Sequence, residues 1–395
     1  MLLDKFAGSP PIHSLAKKSE VFFWFGFWIL FAKFFLQSIV IFEIPDEIFR
    51  VFLLFGITFL VIRTGLLILE DECSWMAALG VCLGVFSYFL SGESVLLTTA
   101  LVITSAYGID YQKILRCWVL AVSSILAIMM FTYFAALLLG DSIGLTWTNI
   151  GGMSSQRGAL LFSHPNYCAV VFFAWAMSVW CLKGMSHFLK ITAGLLALII
   201  IIFITGSRTS ALSLCAFFAI FFIFHFWESR RKESFGRFIP KLLPFLPLML
   251  CLLTFWISAV WFMSPHFKQE ISDLFTGRPA LWWAQWNYAG LTLFGHHAYE
   301  GTLLIRGDYH VISTVDGMYA SLLYNIGIAG FIWILALISK INSFGFRLDA
   351  TVAAALFAVF ILGFTEWHAL NAIVFIPLAL LSIGVTSKKH DTFRS

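Results

Sequence analysis

The chain has 395 residues, of which 60% are hydrophobic and only 12% charged, and its mean hydropathy is +0.91. Soluble domains carry roughly twice that share of charge, so the composition excludes a soluble enzyme on one anchor and predicts an all-α integral membrane protein. The net charge of +4 says little about partners because the basic residues cluster in short loops, and no nucleic-acid partner is expected.

No Pro/Ser-rich linker or composition break divides residues 1–395, which read as one polytopic domain in contact with membrane lipids. The first apolar run, from about Val21, is too long for a cleaved signal peptide and lacks a small-residue cleavage site, so it is expected to stay as a signal anchor. About 12 transmembrane helices follow from the apolar runs, near 21–41, 48–69, 75–91, 94–108, 115–139, 165–182, 189–205, 208–227, 241–262, 316–339, 349–365 and 369–386. The third and fourth are short and separated only by Ser91-Gly92-Glu93-Ser94.

Loop charge orients the spans. With the N-terminus inside, the inner segments hold 18 of the 25 Lys and Arg residues, and the cytoplasmic basic loop at 228–240 carries Arg230, Arg231, Lys232 and Arg237. Both termini are then cytoplasmic, and the expected location is the bacterial inner (cytoplasmic) membrane. Two outer loops are long, at 140–164 and 263–315. Loops of that size in a compact membrane protein are usually either functional or floppy. In the larger one, Leu281 to Leu291 reads as a short amphipathic helix lying on the membrane.

The seven cysteines are scattered without CxxC spacing, and His296, His297 and His310 lack the spacing of a zinc site. No metal and no cofactor are expected.

Three arginines instead stand on the outward side, against the inner-leaflet pattern. Arg157 lies in Ser155-Gln-Arg-Gly-Ala-Leu-Leu-Phe-Ser-His164-Pro-Asn166, which enters the sixth span. Pro165 suits the first helical position, with Ser163 or His164 as cap, and His164 and Asn166 are candidate ligand contacts. At a helix N-terminus the imidazole is expected to be neutral. Arg208 lies in Thr205-Gly-Ser-Arg-Thr-Ser-Ala-Leu212, with Ser207 as N-cap of the eighth span. Free backbone N–H groups, the Ser207 and Thr209 hydroxyls and a guanidinium there would converge as an anion site, or Arg208 would snorkel to lipid headgroups. Arg278, in Thr276-Gly-Arg-Pro-Ala-Leu-Trp282-Trp283, precedes aromatic residues that stack on sugar faces or form the interfacial belt, and Arg306 shares the loop. Asp316 opens the tenth span as an N-cap or as a base. The sixth, eighth and tenth spans all start at the outer surface, so these groups share one side.

Two of these motifs resemble the Wzy/O-antigen ligase superfamily. Arg208-Thr-Ser-Ala-Leu212 is similar to its Arg-x-x-x-Leu pattern, and Asp316-Gly317, nine residues, then Gly327-Ile-Ala-Gly330 occupy the place of its His-Asn…Gly-x-x-Gly pattern. The stretch from Arg157 to Asn166 looks like the Arg…His-Pro-Asn segment of capsular and exopolysaccharide polymerases. Because Asp316-Gly317 replaces the ligase His-Asn pair, the resemblance tilts toward a repeat-unit polymerase. It implies a metal-independent, GT-C-like membrane glycosyltransferase. Such an enzyme moves a growing glycan from undecaprenyl pyrophosphate to the terminal sugar hydroxyl of another lipid-linked unit. Undecaprenyl-pyrophosphate-linked oligosaccharide would be both donor and acceptor, with a chain-length regulator and a flippase as partners. Asp316, Arg157, Arg208 and Arg278 would be catalytic, with His164, Asn166, Ser207, Thr209, Trp282 and Arg306 binding substrate.

An O-antigen ligase-like transferase is the alternative within enzymes, and a lipid-linked glycan transporter or flippase the alternative outside them. Transporters place ionisable groups near the midplane, whereas here they gather at outer helix ends. The orientation itself is testable. In a Cys-free background, a cysteine at Ser155 should react with an impermeant maleimide in intact cells and one at Ser229 should not. Reversed labelling overturns the sidedness.

Overall fold

In a computed structural model of the chain, the residues described are 18–40, 44–70, 72–140, 145–150, 153–263, 270–272, 275, 277–305, 308–312, 315–343 and 348–385. Arg306 and Thr276 lie outside them. The structure is predominantly helical, as an all-α membrane protein should be. Among the described residues, six helices are long and apolar enough to cross a bilayer: α1 (Glu20–Ser38), α2 (Asp46–Leu69), α5 (Tyr111–Leu138), α7 (His187–Ile199) with the π-turn Ile200–Ile204 that extends it, α8 (Arg208–Arg230) and α10 (Phe245–Met263). Five shorter apolar helices accompany them: α3 (Trp75–Ser91), α4 (Val95–Ser105), α6 (Pro165–Cys181), α12 (Ile328–Ser343) and α13 (Ala350–Leu362). The amphipathic α9 (Lys232–Leu242) carries the basic loop, and α11 (Arg278–Ala289) lies in the large loop.

Local chemistry explains several starts. The Asp110 carboxylate accepts from Gln112 N at α5, the Ser186 hydroxyl from Leu189 N at α7, and the Asp349 carboxylate from Val352 N at α13. Pro165 opens α6, and His164 Nδ1 accepts from Asn166 N, so His164 is a cap as expected.

The long helices leave large apolar side chains exposed, among them Leu54, Phe131, Phe203, Phe222 and Trp256. Hydrocarbon is the solvent that suits such a surface. Inside that ring sits α4, in which every residue is buried. At about 1.5 Å per residue it reaches only about half the hydrocarbon thickness.

Polar contacts segregate to the two ends of the bundle. At one end Lys113 pairs with Glu20 at 2.6 Å, Lys340 donates to Ser74 Oγ at 3.0 Å, and buried Arg63 donates to the carbonyls of Ser105 and Tyr107 and to Ser19. These are the segments with the basic loops. At the other end Ser163 N donates to Ser38 O and Val40 N to Leu161 O, beside the site described below.

Several expectations need correction. The two long loops contain two antiparallel hairpins: β1 (Leu145–Ile150) with β2 (Met153–Gly158), and β3 (Gly301–Ile305) with β4 (Asp308–Ile312). In each, Thr, Ile, Val, Leu and aromatic residues flank a Gly-containing pair in the sequence, which favours strands over amphipathic helix. The helix α11 is more enclosed by protein than its sequence implied. It packs against α10 and buries Arg278, Pro279, Trp282, Ala284 and Gln285.

The tenth span is not one helix. A short turn, Met318–Ala320, runs into a π-helix, Ser321–Ile326, and stops at Gly327 before α12. Apolarity continues through this region, so hydropathy gives no warning. The break is made by the loop 292–296, whose Thr292 and Leu293 carbonyls accept from Ile328 N and Ala329 N, while Asn325 O accepts from His296 N. The twelfth segment is also not α-helical, since Ile376–Val385 is a 3₁₀ run.

Gly327 has φ +99°, and a Cβ there would sit 2.4 Å from Gly295 N. Gly65, within α2, has nothing within 4 Å of the same position. Gly327→Ala is therefore predicted to destabilise by about 2 kcal/mol or more, and Gly65→Ala to be neutral or stabilising by about 0.5–1 kcal/mol. Thermal melts of the two purified variants check this; equal midpoints would remove the close-approach argument.

Candidate functional site

Four separate parts of the chain meet at the end of the bundle opposite the basic loops. The helix α13 ends near Gly363, and Glu366 N donates back to Leu362 O at 3.0 Å. Gly317, at φ +96°, lies so close to this turn that a Cβ would meet Phe364 O at 2.9 Å, and Met318 N donates to Gly363 O at 2.7 Å. This clamp brings Asp316 alongside Glu366. Between them comes Arg278, the first residue of α11, preceded by the left-handed Gly277.

The geometry is that of one guanidinium between two acids. Arg278 Nε lies 3.5 Å from Asp316 Oδ2, and Arg278 Nη2 donates to Glu366 Oε1 at 3.2 Å. The Thr209 hydroxyl, in the first turn of α8, donates to the same Oε1 at 3.2 Å. Glu366 Oε2 takes no hydrogen bond among the described residues. The side chains of Arg278 and Glu366 are 6% and 4% exposed, whereas that of Asp316 is 35% exposed. Asp316 is thus the acid an incoming molecule can touch. Burial pushes the Glu366 carboxyl up to about 7, against the opposing pull of Arg278, and the Asp316 carboxylate adds to the rise.

Arg157 extends the cluster. Its Nε donates to Thr205 O, in the turn just before α8, and its Nη2 donates to Asn166 Oδ1 at 3.2 Å. It is close enough to Glu366 for the two charges to interact. His164 is held below the usual imidazole range by partial desolvation and then by Arg157, consistent with a neutral cap.

The structure therefore brings Asp316, Arg278, Arg157, Thr209, His164 and Asn166 into one region. It does not do so for every expected residue. Arg208 is exposed and makes no hydrogen bond or ion pair among the described residues. Ser207 occupies the N-cap position of α8, but its hydroxyl donates to Ser210 Oγ at 3.2 Å rather than capping the helix. Asp316 does not cap a helix with its side chain. Trp282 is fully buried, so it cannot stack on a sugar. Its indole N–H donates to Asp316 O, which fixes the backbone of the exposed acid. Aromatic side chains at such positions serve either packing or contact, and here the enclosing Phe275 and Phe364 rings decide for packing.

Glu366 and His368 are the residues that sequence reasoning passed over. They fall in the short connection Thr365-Glu-Trp-His368 between the last two apolar segments. An ionisable residue enclosed by two apolar runs is itself a signal, and it could have found Glu366. Among the described residues no group of three or more His, Cys, Asp or Glu is arranged to hold a metal ion. Comparison with protein-family models, with curated proteins and with solved structures finds no match to this chain.

Removing one partner of a buried ion pair leaves the other uncompensated. At pH 8, where the Glu366 carboxyl is charged, Arg278→Ala is predicted to cost about 3 kcal/mol or more of stability, and exposed Arg208→Ala no more than about 0.5 kcal/mol. Thermal unfolding in detergent measures both, and similar losses would contradict the buried pairing.

Proposed function

We propose that the chain is a polysaccharide repeat-unit polymerase at the outer face of the cytoplasmic membrane, taking lipid-pyrophosphate-linked glycan as donor and acceptor. The observation that carries this reading is the gathering of Arg157, Arg278, Thr209, Asp316 and Glu366 from five parts of the chain at one end of the bundle. Arginines that fit phosphate oxygens, beside an accessible carboxylate, suit a reaction that expels a pyrophosphate and consumes a hydroxyl. Ionisable groups at helix ends rather than at mid-span weigh against a transporter.

In the proposed reaction the acceptor hydroxyl oxygen attacks the anomeric carbon of the donor. The bond from that carbon to the pyrophosphate oxygen breaks, and the hydroxyl proton passes to Asp316. Arg208, exposed and without an ion pair among the described residues, and Arg157 stabilise the leaving pyrophosphate. Arg278 takes a different part from the one its sequence context implied. Held by two carboxylates, it aims Asp316 and adds its field to the anion site. A ligase acting on a lipid or protein acceptor would use the same machinery.

Asp316→Asn should lower turnover by roughly 10²–10⁴ with membrane insertion intact. On a gel of lipid-linked and surface glycans, a ladder should collapse to single units in cells carrying only this variant. Full-length lipid-linked chains that are never attached would indicate a ligase, and normal ladders at matched protein levels would remove Asp316 from the chemistry.

Glu366 adds a pH dependence with a defined sign. Its carboxyl is neutral below about pH 7 and charged above it, and each added negative charge opposes pyrophosphate. Donor binding should therefore weaken as pH rises from 6 to 8, and Glu366→Gln should flatten the profile. Calorimetry with a diphosphate diester, which does not itself titrate there, reads this directly. An unchanged slope in the variant would assign the titration elsewhere.

A further inference from the structure

We propose that His368, Trp367 and Tyr167 form a sugar-binding subsite beside the acid pair, in which the buried imidazole hydrogen-bonds hydroxyls of the lipid-linked glycan. This rests on the reading that the site takes a lipid-pyrophosphate-linked glycan. His368 is 4% exposed, yet neither ring nitrogen makes a hydrogen bond among the described residues. Native proteins satisfy the great majority of such buried groups, and an unsatisfied one calls for a partner from outside. Nearby, Glu366 Oε1 takes two donors and His164 takes Asn166 N. Arg278 Nε, which makes no hydrogen bond either, faces the Asp316 carboxylate at 3.5 Å, whereas the His368 ring, two residues beyond Glu366, meets only aromatic rings among the described residues.

Its surroundings are aromatic and come from three parts of the chain. The Trp367 ring lies at 4.0 Å, the Tyr167 ring of α6 at 4.4 Å and edge-on, and the Phe34 ring of α1 at 6.3 Å. Tyr167 in turn meets His164 edge-on at 6.2 Å. Trp367 and Tyr167 are only half-buried, so the cluster reaches from the enclosed imidazole toward the open part of the site. Aromatic walls with a few convergent polar atoms are the usual lining of a small-molecule site.

The chemistry selects the ligand. Burial, with His164 nearby, pushes the His368 imidazole down to about 3, so the ring is neutral. A neutral imidazole offers one donor and one acceptor. Phosphate oxygens use only donors, and acyl chains use neither. Sugar hydroxyls use both, and a pyranose ring also presents apolar C–H faces to Trp367 and Tyr167. The subsite therefore suits the sugar, while Arg157 and Arg208 suit the pyrophosphate.

The test uses the full chain in nanodiscs with farnesyl diphosphate and its glucosyl, galactosyl and N-acetylglucosaminyl diesters as probes. At least one diester should bind about tenfold more tightly than farnesyl diphosphate. His368→Phe keeps the ring volume and removes both nitrogens. It should erase that gain, leave farnesyl diphosphate binding unchanged and not lower the melting temperature. Trp367→Ala, at the half-exposed edge, should erase the gain independently. Retention of the full gain in both variants overturns the subsite. So does a wild-type protein that binds every diester no better than farnesyl diphosphate, although the pyrophosphate reading then stands. Failure of all four probes to bind overturns the proposed function, and the subsite with it.

Discussion

A guanidinium cannot shed its proton in a protein, so an arginine enclosed by other side chains must be met by carboxylates wherever the chain can supply them. Arg278 is in that position. Its charge is met by Glu366 on one side and Asp316 on the other, and the Thr209 hydroxyl donates to the same Glu366 oxygen that Arg278 holds. One interaction therefore fixes the start of α11, the residue before the broken tenth segment, the turn after α13 and the first turn of α8. Trp282, one turn further along α11, holds the Asp316 carbonyl, so the accessible acid is positioned by both its side chain and its backbone. The two acids share a cation but differ in exposure, and that difference separates an inner acid that tunes charge from an outer one that meets the substrate.

Much of this was legible in the sequence, for identifiable reasons. Eleven of the twelve apolar runs hold α-helices because hydropathy and length report on the solvent a segment must tolerate. His164-Pro165 was legible as a helix start because proline and a capping side chain act within a few residues. The shared end of His164, Arg208 and Asp316 followed from counting spans, since the sixth, eighth and tenth start on the same side.

What was not legible depends on contacts between distant segments. Glu366 carries no motif, and its role comes from Arg278, 88 residues away in the chain. The burial of Trp282 depends on Phe364 and Phe275, and the break at Gly327 on a loop that precedes it by some thirty residues. Composition describes the preference of a side chain, and a fold then chooses which preference is met.

The buried helix α4 has a consequence for how the molecule is made. None of its eleven residues faces outward, and its Thr99 hydroxyl donates to Leu370 O, 271 residues downstream, and accepts from Ala372 N. At synthesis rates of roughly 5–20 residues per second, that cover arrives on the order of tens of seconds after α4 has left the ribosome. During this interval a helix too short to span the bilayer, with four hydroxyl side chains, has no native enclosure. It must wait in the shelter of α3 or of the insertion machinery. The closing step of biogenesis is then the docking of residues 367–385 into the centre of a bundle already in the membrane, and it is this step that joins Glu366 to Arg278. Assembly of the core and assembly of the site are a single late event.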